Sequence, residues 1–297
     1  MRLTSCAICG EQDSRVLYRA TDRLYGTTTQ IFSVIECRHC GMARLDPRPS
    51  DLAVHYPPLY WFSGGPANIY RRLVLRHHVR FVRQALGTGA RVLDVGSGGG
   101  LLAVQLRRCG VQAFSLDIAP VAAKLAARDG AASVAADFAH PPFADSSFDV
   151  IAMFHVLEHV ADPRHHLQTA HRLLNPNGRL VIAVPNFDGL QRRIFGASWN
   201  GLDIPRHLQH FRGRDLRTLL EQTGFQVTRT RHFSWRDSPA GLATTLAPGL
   251  DPMSRLAHHR TSANAAYALL TALSVPFAAA EAATKHGSTI IMQAARL

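Results

Sequence analysis

Val92-Leu93-Asp94-Val95-Gly96-Ser97-Gly98-Gly99-Gly100-Leu101 sets an apolar strand directly ahead of a glycine-rich turn that opens a helix. Glycines there accept positive φ and let a ligand approach the backbone, and the helix N-terminus presents N–H groups without chain partners. A dinucleotide fingerprint needs Gly at 101; Leu101 stands there, which argues against NAD. Outward from this turn strands and helices alternate. Strands are expected at 91–95, 111–117, 133–137, 148–154, 179–184, 225–233 and 288–294, with helices at 101–108, 120–128, 163–174 and 215–222 between them. Alternation with helices of about ten residues predicts an α/β fold: a doubly wound, seven-stranded, mainly parallel Rossmann-like sheet. A lead-in helix from Asn68 ends at Gly87 and Gly89, and the irregular stretches 186–212 and 234–286 read as insertions on the substrate side of the sheet.

Two acids follow at matching places. Asp117, with Ile118 after it, closes the second strand about 20 residues beyond the turn, where a carboxylate accepts both hydroxyls of a ribose. Asp137 closes the third strand, and with Phe138 it offers an acceptor for an adenine amino group and a ring to lie against.

The N-terminal 50 residues are of another kind. Cys6-Ala7-Ile8-Cys9-Gly10 and Cys37-Arg38-His39-Cys40-Gly41 are two knuckles 27 residues apart, each placing two thiolates on one tight turn. Four such ligands fill a tetrahedral structural Zn2+ site and leave no open position for chemistry, in a small zinc-ribbon-like module that needs the metal to fold. The fifth cysteine, Cys109, is expected to be a small apolar filler at a helix end. Asp46-Pro47-Arg48-Pro49 marks the module's end, and a linker with Tyr56, Tyr60, Trp61 and Phe62 runs into the lead-in helix. The expected division is therefore 1–50 module, 51–88 linker and helix, and 89–297 main domain.

The composition, 46% hydrophobic and 18% charged over 297 residues, excludes a disordered, collagen-like or coiled-coil chain. The net charge of +12 is nearly all Arg, with lysine only at 124 and 285. It suits a phosphate-bearing partner or an anionic surface, or reflects genome composition. Met1–Cys6 has no apolar stretch, so a cytoplasmic location, peripheral to the inner membrane face at most, is expected.

Further motifs carry a resemblance. Pro142-Phe143-Ala144-Asp145-Ser146-Ser147-Phe148-Asp149-Val150-Ile151, then His155-Val156-Leu157-Glu158-His159-Val160, Leu174-Asn175-Pro176-Asn177-Gly178-Arg179-Leu180 and Val184-Pro185-Asn186, follow the glycine turn in order. Over 91–297 the chain resembles the class I S-adenosylmethionine-dependent methyltransferases of the small-molecule group. The resemblance implies a sheet whose last strand is antiparallel. It places Asp94, Gly96, Ser97, Gly98 and Gly100 along the methionine part of S-adenosyl-L-methionine, Asp117 and Ile118 at the ribose, Asp137 and Phe138 at the adenine, and His155 beside the cofactor. Ser97 stands where the family often has Cys. The four-cysteine module is similar to the head of some sugar C-methyltransferases, whose further C-terminal domain does not fit in this length.

A sulfonium methyl is already electrophilic, so the chain has to align an acceptor and remove its proton. His155 and His159, after the fourth strand, and His207 and His210, in Asp203-Ile204-Pro205-Arg206-His207-Leu208-Gln209-His210-Phe211, are the candidates. Glu158 and His159 resemble part of the Glu-x-x-Glu-His metal triad of certain O-methyltransferases, with His155 for the first Glu; a second divalent metal there, or a packing role, are both open. The leading acceptor is a small molecule, a sugar or a lipid precursor. The alternatives are an RNA-modifying enzyme that reads nucleic acid through the zinc module, though 1–60 are nearly neutral, and a non-catalytic cofactor-binding protein. In the Ala-rich segment, Ala265, Ala266, Leu269, Leu270, Leu273, Phe277 and Ala280 recur at helical spacing. It reads either as a helix packed on the sheet before the last strand or, with Tyr267, Arg255 and Arg260, as a peripheral membrane contact.

Overall fold

The computed structural model describes residues 5–57, 67–87, 89–258 and 264–297. Tyr60, Trp61, Phe62 and Arg260 lie outside the described residues.

In chain order the elements are β1 (Ser14–Ala20), β2 (Phe32–Cys37), β3 (Ala43–Asp46), α1 (Ala67–Arg83), β4 (Arg91–Val95), α2 (Leu101–Arg108), β5 (Gln112–Asp117), α3 (Pro120–Arg128) and β6 (Ala132–Ala135). There follow β7 (Phe148–Phe154), α4 (Pro163–Leu173), β8 (Leu174–Pro185), α5 (Leu190–Phe195), β9 (Gln209–His210), α6 (Gly213–Gln222) and β10 (Phe225–Arg231). The chain ends with α7 (Ser238–Leu246), α8 (Pro252–Ala257), α9 (Asn264–Ala283) and β11 (Thr289–Arg296).

The main sheet has seven strands in the order β10-β11-β8-β7-β4-β5-β6, and β11 runs antiparallel between β10 and β8. The glycine turn leaves β4 at the centre of the sheet, between β7 and β5. Successive residues of the inner strands serve opposite faces, as a pleat requires. Leu93, Ile151, Met153, Leu180 and Ile182 pack with Leu167 of α4 and Leu216 and Leu220 of α6. Val92, Val150, Ala152 and Val181 pack on the other side with Val79 and Val82 of α1 and Leu102 and Leu106 of α2.

Several boundaries shift by one or two residues from the sequence reading, and two depart for a local reason. β6 stops at Ala135, because the Asp137 carboxylate turns back to accept the Ala139 N–H (2.8 Å), an Asx turn that takes Asp137 out of the strand. The Asn175–Gly178 turn is absorbed into β8, where Leu174 pairs with Phe148 and Arg179 with Val150, so the intervening residues bulge.

The second sheet is antiparallel, β1-β2-β3-β9, and its fourth strand comes from far along the chain: Ala43 pairs with His210 and Arg44 with Gln209. Phe32, Val34 and Leu45 from the module share a core with Trp199, Leu202, Ile204 and Leu208 from 186–212. Cys37 and Met42 reach the main core itself. Arg206, fully buried, seals the seam. Its Nη1 and Nη2 donate to the two oxygens of buried Asp22, each at 2.9 Å, while Nε donates to Asp203 Oδ1 (3.0 Å) and Nη1 also to the His55 carbonyl (3.0 Å). Arg212 makes a second tie, to Glu36 and to the Gly41 carbonyl.

Candidate functional site

The site lies at the carboxyl ends of β4, β5 and β7, where a doubly wound sheet leaves a crevice. Gly96, Gly98 and Gly100 have φ of 63°, 53° and 68°. Two of them are also spatially required: a Cβ on Gly96 would meet Val156 at 2.6 Å, and one on Gly100 would meet Ala126 at 2.5 Å. A Cβ on Gly98 would meet nothing within 4 Å, so the turn is open on that side. Val156 thus lays the β7–α4 connection against the glycine turn and joins the two halves of the site.

Asp117 is buried. Its Oδ2 accepts the Gly98 N–H (2.8 Å) and Oδ1 the Ala119 N–H (2.9 Å), and burial raises its pKa against those bonds. Burial pushes the Asp94 carboxyl up to about 7, helped by the nearby Asp117 charge. The Ser97 hydroxyl is buried without a partner. Ile118 is exposed, Asp137 is exposed two residues past β6, and Phe138 is buried with its ring centroid 6.0 Å from that of His166.

Beyond β7 the histidines separate into different roles. His155 sits at φ 57°, a costly conformation for a residue with a Cβ and one that clusters at working sites. Its Nδ1 lies 2.9 Å from Glu158 Oε1 and its Nε2 3.2 Å from Asp237 Oδ2. Burial alone would lower its pKa, but the Asp237 and Glu158 carboxylates outweigh this and hold it up at about 10, so His155 is an imidazolium at neutral pH. Buried Glu158 is kept ionised by the same contact, against burial. Asp237 also accepts from Ser234 Oγ and lies 3.6 Å from His78 Nε2 of α1, a ring that burial keeps neutral, down at about 3.

His159 and His207 stack edge to face, centroids 4.6 Å apart. His159 Nδ1 contacts the Arg206 carbonyl (3.1 Å) and the Tyr56 hydroxyl (3.0 Å), and His207 Nδ1 contacts the Gly201 carbonyl (2.9 Å). A carbonyl only accepts, so Nδ1 of each ring carries a proton; in neutral His159 this leaves Nε2 with its lone pair, whereas His207 Nε2 lies 3.7 Å from Asp203 Oδ2. Burial and the neighbouring His207 push the His159 pKa down to about 4. One ligand atom each of Glu158, His159 and His207 lie within 4.8 Å of one another. His210 stands outside that trio. It is buried in β9, stacked on Phe187 at 5.5 Å, and lowered by burial to about 3, and its Nε2 has no hydrogen-bond partner.

The sequence reading overlooked Asp237, His78, Tyr56 and Arg206. Asp237 comes from the 234–286 stretch and meets His155 across 82 positions, a distance at which spacing carries no signal.

The four cysteines converge. Cys6 Sγ is 3.4 Å from Cys40 Sγ, and Cys9 Sγ is 3.5 and 3.6 Å from those of Cys37 and Cys40; none of the four is in a disulfide. Gly10 and Gly41, at positive φ, donate to the carbonyls of Cys6 and Cys37 and so close the knuckles.

Comparison with known proteins identifies the class. A family model described as a methyltransferase domain matches residues 67–230, and the chain belongs to that family. Among curated proteins it is similar to the ubiquinone biosynthesis O-methyltransferase of Xanthomonas oryzae pv. oryzae, 35% identical over 133 residues, 42% of this chain and 56% of that protein. The protein of the same name from Xylella fastidiosa is 32% identical over 166 residues, 50% of this chain and 68% of that one. The chain thus spans between about half and two thirds of the length of these relatives. Among solved structures, a SAM-dependent methyltransferase from Archaeoglobus fulgidus aligns at a TM-score of 0.52 and 16% identity, covering 76% of this chain and 94% of that one. The [4+2]-cyclase SpnF aligns at 0.51 and 20%, covering 80% and 85%. The shared property is the class I S-adenosylmethionine-dependent methyltransferase fold, and the reaction has to be argued from the site.

Proposed function

We propose that this protein transfers the methyl group of S-adenosylmethionine to a hydroxyl of a small-molecule, sugar or lipid-precursor acceptor. The observation that carries the reading is the neutral His159 imidazole, with its Nε2 lone pair, set beside ionised Glu158 at the end of β7 and packed through Val156 against the glycine turn. The O-methyltransferase names of the curated relatives support the same acceptor atom.

The residues fit the cofactor. The unpartnered Ser97 hydroxyl, the open side of Gly98 and the buried Asp94 are the donors, space and acceptor that an amino-acid moiety needs. Asp117 would hold the ribose hydroxyls, Ile118 would cover them, and Asp137 with Phe138 would hold the adenine. Bound there, the cofactor supplies an electrophilic methyl group. His155, charged and gripped by Glu158 and Asp237, is unsuited to be a base and serves to fix Glu158. His159 Nε2 takes the acceptor's proton, with His207 and His210 lining the acceptor side.

As a second reading, Glu158, His159 and His207 form a donor set of two imidazoles and a carboxylate suited to a divalent cation, in which case the cation, in place of His159 as base, would lower the pKa of an acceptor hydroxyl. The cysteine cluster would hold structural Zn2+: ligands at about 2.3 Å in a tetrahedron lie about 3.8 Å apart, near the sulfur spacings found here.

The test is incubation of the purified protein with methyl-labelled cofactor and separate pools of phenolic, sugar, lipid-precursor and RNA acceptors, with and without chelator. Alkali-stable label in a small hydroxylated acceptor, lost in His159→Ala, is expected. Label only in RNA, or cofactor binding with no transfer to any pool, would overturn the proposal.

A further inference from the structure

The apolar helix α9 is built inside out. Thr271, Ser274, Ala278 and Glu281 are its buried stripe, whereas Leu269 and Leu273 face outward at 62% and 68% exposure. The stretch Ala265–Ala283 is long and apolar enough to cross a bilayer, and 22% of it is buried. It does not stand free to do so. Its packing partner is α7, not the sheet, and Glu281 accepts from Gln191 Nε2 (2.7 Å) and the Ser288 N–H (3.1 Å) immediately before β11. The helix is therefore held on the domain with its greasy side out.

Beside it an open groove of about 330 Å³ is lined by Ile194 of α5, Leu242 and Leu246 of α7, and Leu270, Leu273 and Phe277 of α9. Ile194 and Leu246 are themselves 56% and 51% exposed. The rim is basic. Arg193 adjoins Ile194, exposed Arg23 bonds the Thr245 carbonyl next to Leu246, and exposed Lys285 follows α9; against them stands Asp188, 4.0 Å from Arg193.

We propose that this α5–α7–α9 face docks on an anionic lipid bilayer, lying in its interface with Leu269 and Leu273 in the hydrocarbon boundary and the basic rim at the headgroups. Exposed leucines flanked by cations on a chain of net charge +12 are the pattern of an interfacial helix. A second copy is the poorer occupant, because a twofold interface would set the same cations against each other. The proposal holds whatever the methyl acceptor is. It gives α7 a further meaning, since Asp237 just before it touches His155 and Leu246 at its end lines the groove, roughly 13 Å along the helix.

The experiment is flotation of the full chain with vesicles of phosphatidylcholine alone or mixed with phosphatidylglycerol, at low and high salt. Binding to the mixed vesicles, weakened by salt, is expected. Leu269→Asp with Leu273→Asp should reduce the bound fraction at least about tenfold, and Arg193→Glu should remove several-fold of the preference for anionic lipid. Cofactor affinity, measured by calorimetry, should be unchanged in both, which separates this result from failure of the methyl-transfer reading. Absence of flotation at low salt, equal flotation of the leucine variant, or a wild-type dimer that the leucine variant dissolves would overturn the proposal.

Discussion

Asp22→Asn tests how the acceptor side of the site is held in place. Asp22 and Arg206 are both without side-chain exposure, and every N–H of the guanidinium is engaged: two on Asp22, the others on Asp203 and the His55 carbonyl. Asp22 in turn accepts the N–H groups of Leu24, Tyr25 and Thr27. Burial raises its pKa, but Arg206 overrides this and holds it well below the usual carboxylate range. The asparagine keeps the shape and removes the charge, so Arg206 is left with one carboxylate partner, Asp203. Breaking a buried pair by removing one partner costs about 3 to 5 kcal/mol, and in a chain of this size each kcal/mol moves the melting temperature by about 2 to 4 °C. The expected drop is roughly 6 to 20 °C, read by calorimetry near neutral pH. Hydrogen exchange should speed up at Leu208 and Gln209, whose N–H groups bond the Glu158 carbonyl at 2.7 and 3.0 Å. A stability loss below about 1 kcal/mol with unchanged exchange at those amides would refute the reasoning, because the pair would then be worth no more than a surface ion pair.

Asp117→Ala should weaken binding of the cofactor or its demethylated product at least about tenfold, the worth of a lost acceptor to two hydroxyls; unchanged affinity by calorimetry would remove the ribose assignment. For His155, whose folded pKa of about 10 exceeds its ordinary 6.5, the stability from its carboxylate partners is fully present below about pH 6.5 and is lost as pH rises through about 10. Asp237→Asn should bring that loss to lower pH, and an NMR titration showing the same His155 pKa in both proteins would contradict the assignment. Elemental analysis should find one zinc per chain, absent from Cys37→Ser. Because β3 pairs with β9, that variant should also disturb the His210 resonance, and a normal His210 signal in a zinc-free chain would separate the module from the site.

The repeating part of the fold was legible because its signals are local. α2, α3 and β7 begin and end where glycine, proline and the apolar period place them: Gly100 ahead of Leu101, Pro120 at the first turn of α3, and an unbroken apolar run from Val150 to Phe154. β3 and β9 were not legible. β3 carries Arg44 as a fully buried side chain bonded to Ser14 Oγ, so its pattern reads as charged and exposed, and β9 is two residues long with no period at all. The cysteine cluster was readable because ligand spacing is a sequence property. The histidines were found, but their roles were not, since Asp237 and the Arg206 carbonyl decide that His155 is charged and that His159 keeps an Nε2 lone pair. The pattern of α9 gave its apolar residues correctly and left their direction open, because packing on α7 selected the polar stripe as the inner one.

The pairing of β3 with β9 has a consequence for protein engineering. A trimmed enzyme starting near residue 51 is not a smaller version of this one: it would expose the edge of β9, strip the cover from Trp199 and Leu202, and leave Arg206 buried beside a single acid. The exchangeable cassette is residues 5–50 together with 186–212. Grafting that two-piece cassette onto a related sheet would move the acceptor wall with it, whereas grafting the cysteine knuckles alone would move only a metal site.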